Sequence, residues 1–169
     1  MSRSEQLAKR IEQGAEGLAA FVEGLSDSEW QTPVSATDRR TVGITVHHVA
    51  SVYPLEVEAA RGIAHGKDMT VVTFEVVHQM NAKHAEEQAQ PDKSETLALL
   101  RQNSRAAADA VRSFTDEELD QAGPFGLSFN APVTAQFVIE DHALRHSWHH
   151  LAKIRKAVGG ERKAVGSRQ

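Results

Sequence analysis

The chain has 169 residues, 40% of them hydrophobic and 25% charged, with a net charge of −4, which suits one soluble domain with a substantial core. That charge gives no electrostatic reason to expect a nucleic-acid partner, and no stretch approaches the roughly 18 apolar residues of a membrane span. Cysteine is absent, which excludes disulfides, thiolate zinc sites and a cysteine nucleophile.

The opening Met1-Ser2-Arg3-Ser4-Glu5-Gln6 leads into no apolar run, so no secretory signal is expected and the expected compartment is the cytoplasm. Ser4 to Leu25 reads as the first helix, because Leu7, Ile11, Ala15, Leu18, Val22 and Leu25 recur at steps of three and four. Ser26-Asp27-Ser28-Glu29-Trp30 and Pro33 break it, and Trp30 to Arg40 is a polar connection. Thr41 to His65 is the second helix. Pro54 inside it removes the amide that would bond the Ala50 carbonyl, which predicts a kink there. Thr73 to Ala89 is a third, weaker helical piece with Phe74, Val77, Asn81 and His84 at helical spacing. Its Glu75 and His78 have the Glu-x-x-His spacing of di-iron bundles, but no second copy exists, so both read as surface residues. Asp92 to Phe114 is a strong helix on Leu97, Leu100, Ser104, Ala107, Val111 and Phe114. Thr115-Asp116-Glu117-Glu118-Leu119 is a short capped turn, and Gly123 to Asn130 a loop. The last helix runs from Pro132 to Val158, capped by Asn130 and ended by Gly159 and Gly160. Residues 161–169 read as a flexible polar tail after a single domain over 1–160. No strong strand signal appears. The expected architecture is all-α, a four-helix bundle with an extra short helix in the crossover.

Four of the nine histidines fall between Asp141 and His150. Residues four apart on a helix lie about 40° apart around the axis, one turn up, with Cβ atoms roughly 5–6 Å apart. His146 and His150 therefore stand side by side and can meet one ion. Ile139, Ala143, His150 and Ala157 fall within about 60° of His146, so the pair sits in an apolar stripe. His142 and His149 fall toward Asp141, Arg145 and Lys156, a solvated arc. On the second helix His48 shares the face of Ile44, Thr45, Val52, Leu55 and Ala59, while His47 points about 100° away toward Ser51 and Glu58. The inward set is His48, His146 and His150, three candidate ligands of a divalent metal. Phe137, Leu144, Trp148 and Leu151 form a second apolar face opposite His146. That face makes the helix central or lays it against another subunit, so a homodimer is expected.

Thr41 to Ala50 and His146 to Ile154 together resemble the DinB/YfiT-like superfamily of metalloenzymes. Leu25 to Trp30 resembles that family's first connection. The resemblance covers roughly Ser4 to Val158. It implies a DinB-type four-helix bundle whose metal histidines fall on His48, His146 and His150, the three that the helical wheels select. Ile44 stands where many relatives have a polar or acidic residue, and Lys153 where glutamine is common, so the resemblance carries over the ligands but not the substrate contacts.

Three neutral imidazoles leave an ion its full charge and an open position. Nickel, zinc, iron or manganese suits such a donor set. The family's thiol-dependent members imply a low-molecular-weight thiol such as bacillithiol, mycothiol or glutathione. The expected function is a divalent-metal-dependent enzyme, a thiol S-transferase or hydrolase acting on a small electrophile. The alternative is a stress-response or small-molecule binding protein whose metal site is structural or vestigial. No general base stands out. Glu56 and Tyr53 either support the site or are, more plainly, an exposed glutamate and a core tyrosine. Ser147 lacks a nucleophile elbow, and His146 to His150 lacks the glutamate of a His-Glu-x-x-His protease.

Overall fold

Four long helices carry the apolar stripes in the computed structural model, which describes residues 1–166. They are α1 (Arg3–Glu23), α3 (Val42–Ala64), α5 (Lys93–Arg112) and a composite last helix. The last helix starts as α7 (Ala135–Val138), passes through a π-helical stretch (Ile139–Leu144) and continues as α8 (Arg145–Gly166). Short α2 (Asp27–Trp30) and α6 (Asp116–Asp120) sit in the connections, and α4 (Phe74–Glu87) is the extra helix of the crossover. Leu7, Ile11 and Leu18 of α1, Tyr53 and Ile63 of α3, Leu100 of α5, and Ile139 and Ile154 of the last helix meet in one core. α5 packs on both α1 and α3, and the last helix packs on both of those from its own side. The periodicities in the sequence therefore mark the bundle correctly. α4 has no buried residue and touches mainly α3, so it lies outside the four.

Side-chain caps set the helix starts. Ser2, Thr41, Thr73, Asp92, Thr115 and Thr134 each accept an amide from the first turn. Reciprocal capping boxes close α2 through Ser26 and Glu29, and α6 through Thr115 and Glu118. Trp30 at the end of α2 is buried, donates from Nε1 to the Pro91 carbonyl at 3.1 Å, and lies against Gly43. A Cβ at position 43 would stand 2.7 Å from that indole, so the first turn of α3 needs glycine there.

α3 runs unbroken through Pro54. The Ala50 carbonyl that Pro54 leaves free accepts a hydrogen bond from Asn103 Nδ2 of α5 at 2.8 Å. The neighbouring helix thus supplies the donor that the proline removes.

Three local expectations need correction. Ala122–Pro124 and Pro132–Thr134 form a small antiparallel hairpin, β1 and β2, with Pro124 opposite Pro132. The strands were missed because each is three residues long and carries a proline. The last helix therefore starts at Ala135 with Thr134 as its cap, not at Pro132 with Asn130. Asn130 instead takes φ 63° in the connecting turn, a left-handed conformation that asparagine tolerates. At the other end α8 continues past Gly159 and Gly160 to Gly166. Glycine in a helix costs only about 1 kcal/mol, and a helix already formed adds residues without a new nucleation cost. The part of the expected tail at 167–169 lies outside the described residues.

Candidate metal centre

His48 comes from α3, and His146 and His150 come from successive turns of α8. One ring nitrogen from each lies within 4.8 Å of those of the other two. The ring centroids are 5.0 Å apart for His48 and His146, 5.7 Å for His48 and His150, and 4.8 Å for His146 and His150. His48 and His150 are each 6% exposed. The π-helical stretch ends at Leu144, two residues before His146. Such widened turns recur at functional sites. Between the two helices, Tyr53 and Ser147 share a buried 2.6 Å hydrogen bond. It fixes α3 against α8 one residue from His146, and so fixes the spacing of the histidines.

Burial keeps His48 and His150 neutral. It pushes the His48 imidazole down to about 3, with the neighbouring His146 adding to the effect. Burial pushes His150 down to about 2, helped by His146 and His48. A proton on either ring would put a cation in a dry pocket beside two other imidazoles. Both rings therefore offer lone pairs at neutral pH, the form a metal ion requires. The Nδ1 atom of His150 is buried and has no hydrogen-bond partner. Three nitrogen donors, with His48 and His150 held neutral and one orphaned nitrogen, fit a divalent cation.

Glu56 settles an open question of the sequence. It is not an exposed glutamate: its side chain is 10% exposed, and its Oε1 accepts from Nδ1 of His146. Tyr53 is the core tyrosine, 0% exposed, and burial raises its hydroxyl far above the usual phenol range. Carboxylate–histidine pairs of the Glu56 kind commonly stand behind metal ligands. The eight-residue step from His48 to Glu56 is two helical turns with a drift of roughly 80°, which is why the wheel alone left Glu56 on a flank.

The remaining histidines stay outside the triad. His142 is half-buried with its ring edge-on to Phe125 at 5.4 Å, not on the solvated arc that the wheel suggests. His149 is exposed beside His150. His47 points to Ser51, as expected, and its Nδ1 lies 2.8 Å from Nε2 of His84 on α4. His84 brings a fourth imidazole to the edge of the site, 5.8 Å from His48 between ring centroids. Sequence reasoning gave His84 no role, although its spacing with Val77 and Asn81 marks the face that α4 turns to the bundle. Glu75 and His78 are on the surface, as the missing second motif implies.

The family model described as the DinB superfamily matches residues 10–154. Among curated proteins none matches the chain. Among solved structures the chain is similar to YfiT from Bacillus subtilis, at 20% identity and a TM-score of 0.73, over 93% of this chain and 87% of that one. YfiT is described as "a probable metal-dependent hydrolase with an unusual four-helix bundle topology". The likeness shows the fold. No helix among the described residues is long and apolar enough to cross a membrane.

Proposed function

This chain belongs to the DinB superfamily, and on that premise we propose that it is a divalent-metal-dependent enzyme, a thiol S-transferase or hydrolase acting on a small electrophile. One observation carries the reading: two helices bring His48, His146 and His150 together, and burial holds His48 and His150 neutral. These three side chains would hold the ion, for which nickel, zinc, iron and manganese all suit the donor set. A divalent cation at such a site lowers the pKa of a thiol or water and polarises a carbonyl. The chain's own residues supply the frame. Glu56 orients His146, the Tyr53–Ser147 bond locks α3 to α8, and α4 brings His84 to the rim. In the transferase arm the sulfur of a low-molecular-weight thiol bonds to the electrophilic carbon. The leaving group departs with its electron pair, and the thiol proton passes to solvent. The description of YfiT supports the hydrolase arm.

The experiment is a thiol panel (bacillithiol, mycothiol, glutathione) with monochlorobimane, run beside ester hydrolysis, on protein loaded in turn with nickel, zinc, iron and manganese. Metal-dependent turnover with one thiol or one ester is the expected result. No turnover above metal-free protein in any combination removes the enzyme and leaves a small-molecule binding protein.

The homodimer expected from the sequence is part of the proposal, on a smaller face. Leu151 is buried, and Trp148 lies against Gly14 and Leu151 against Gly17, so α1 covers part of the second apolar stripe. Phe137 and Trp148 remain 42% and 47% exposed. Light scattering should read twice the 18.5 kDa chain mass; a single-chain mass at micromolar concentration removes the dimer.

A further inference from the structure

Glu56 lies two turns beyond His48 on α3, and its two carboxylate oxygens have different surroundings. Oε1 accepts from Nδ1 of His146. Oε2 is buried and has no hydrogen-bond partner. A carboxylate only accepts, so the His146 proton is fixed on Nδ1 and the lone pair on Nε2. Buried acceptors in native proteins find a donor on the chain, on water or on a ligand. Here the chain offers none. Two further buried side-chain atoms among the described residues lack partners, Thr45 Oγ1 and His150 Nδ1. Thr45 precedes His48 by three positions on α3, and His150 belongs to the triad. All three orphaned atoms thus fall on the two helices that build the site.

We propose that Glu56 works with both oxygens: Oε1 orients the His146 ring, and Oε2 takes a hydrogen bond from the small molecule bound at the triad. The site thereby selects ligands that carry an N–H or O–H donor beside their metal-binding atom. The inference rests on the metal-site reading above. It makes Glu56 a positioning residue for His146 and a specificity-determining residue for the ligand.

Glutamine separates the two roles. In Glu56→Gln the carbonyl oxygen turns to the Nδ1–H of His146, which needs an acceptor. The amide N–H₂ then stands where Oε2 was, and a donor faces the ligand's donor. Glu56→Ala removes both contacts. The test measures nickel affinity by chelator competition in the wild type and both variants, with circular dichroism as a check on folding. It then titrates nickel-loaded protein with acetohydroxamic acid and with N-methylacetohydroxamic acid, which differ by N–H against N–CH₃.

Glu56→Ala should bind nickel about 10–100-fold more weakly, the usual loss when a histidine ligand's carboxylate partner is removed. Glu56→Gln should recover most of that loss. The wild type should prefer the N–H hydroxamate by about tenfold or more, the worth of a hydrogen bond to a charged acceptor, and Glu56→Gln should lose the preference. Nickel affinity unchanged in Glu56→Ala, or no recovery in Glu56→Gln, overturns the orienting role. A wild type without preference, or a preference that persists in Glu56→Gln and is therefore steric, overturns the role of Oε2. Wild-type protein that binds no nickel, zinc, iron or manganese removes the metal-site reading itself, a result distinct from all of these.

Discussion

The His48→Ala protein should fold and should lose nearly all of the metal that the wild type binds. His48 is the candidate ligand on α3, and without it two imidazoles on one helix remain. Binding of zinc by four ligands in small metal-folded peptides is worth about 10–16 kcal/mol, or roughly 2.5–4 kcal/mol per ligand. Loss of one ligand should therefore weaken affinity by roughly 10²–10³-fold. The helix itself survives, because Val46, Val49, Tyr53, Ala60 and Ile63 keep α3 in the core. The measurement is elemental analysis of untagged protein after dialysis, about one metal per chain in the wild type against almost none in the variant, with circular dichroism alongside. His149→Ala is the matched control, since His149 is exposed next to the triad and outside it. Equal metal in the wild type and His48→Ala would sink the three-histidine site.

The three histidines were legible because two rules of helix geometry act on them without help from tertiary structure. The four-residue step puts His146 and His150 on one face whatever the neighbours do. The apolar stripe around His48 chooses it over His47, and the structure agrees: His48 is buried, and His47 turns toward Ser51. The π-helical stretch does not disturb this, because it ends before His146. It does disturb the wheel upstream, where His142 lands against Phe125 rather than in solvent.

What the sequence left dark depends on contacts between elements distant in the chain. Glu56 meets His146 across 90 residues, and His84 meets His47 across 37. No periodicity within one helix reports either meeting. Asn103 was read only as part of α5, yet its amide satisfies the carbonyl that Pro54 strands on α3. The hairpin was hidden for a different reason. Its two strands are short and carry Pro124 and Pro132 opposite each other, and a proline near the start of a helical pattern resembles the first turn of a helix.

The metal-free protein should lose stability as the pH falls below about 6.5. An unfolded histidine titrates near 6.5, whereas His48 is held down to about 3 and His150 to about 2 in the folded chain, chiefly by burial. Above 6.5 the two rings are neutral in both states and favour neither. Below it the unfolded chain takes up two protons that the folded chain refuses, so acid favours unfolding. The loss continues until the folded values are reached. At pH 5 the unfolded rings are about 1.5 units below their midpoint, which at 1.36 kcal/mol per unit is about 2 kcal/mol each and about 4 kcal/mol together. His47, His84 and His142 are also lowered by burial and push in the same direction. The window from pH 6.5 to 5 isolates the histidines, because carboxylates such as Asp38, held low by Arg40, act only in stronger acid. Urea unfolding with chelator present, at several pH values across that window, reads the slope directly. A flat profile would mean that water reaches both rings in the folded state. An imidazole pair that water can protonate freely would not be the dry, neutral donor set on which the metal site depends.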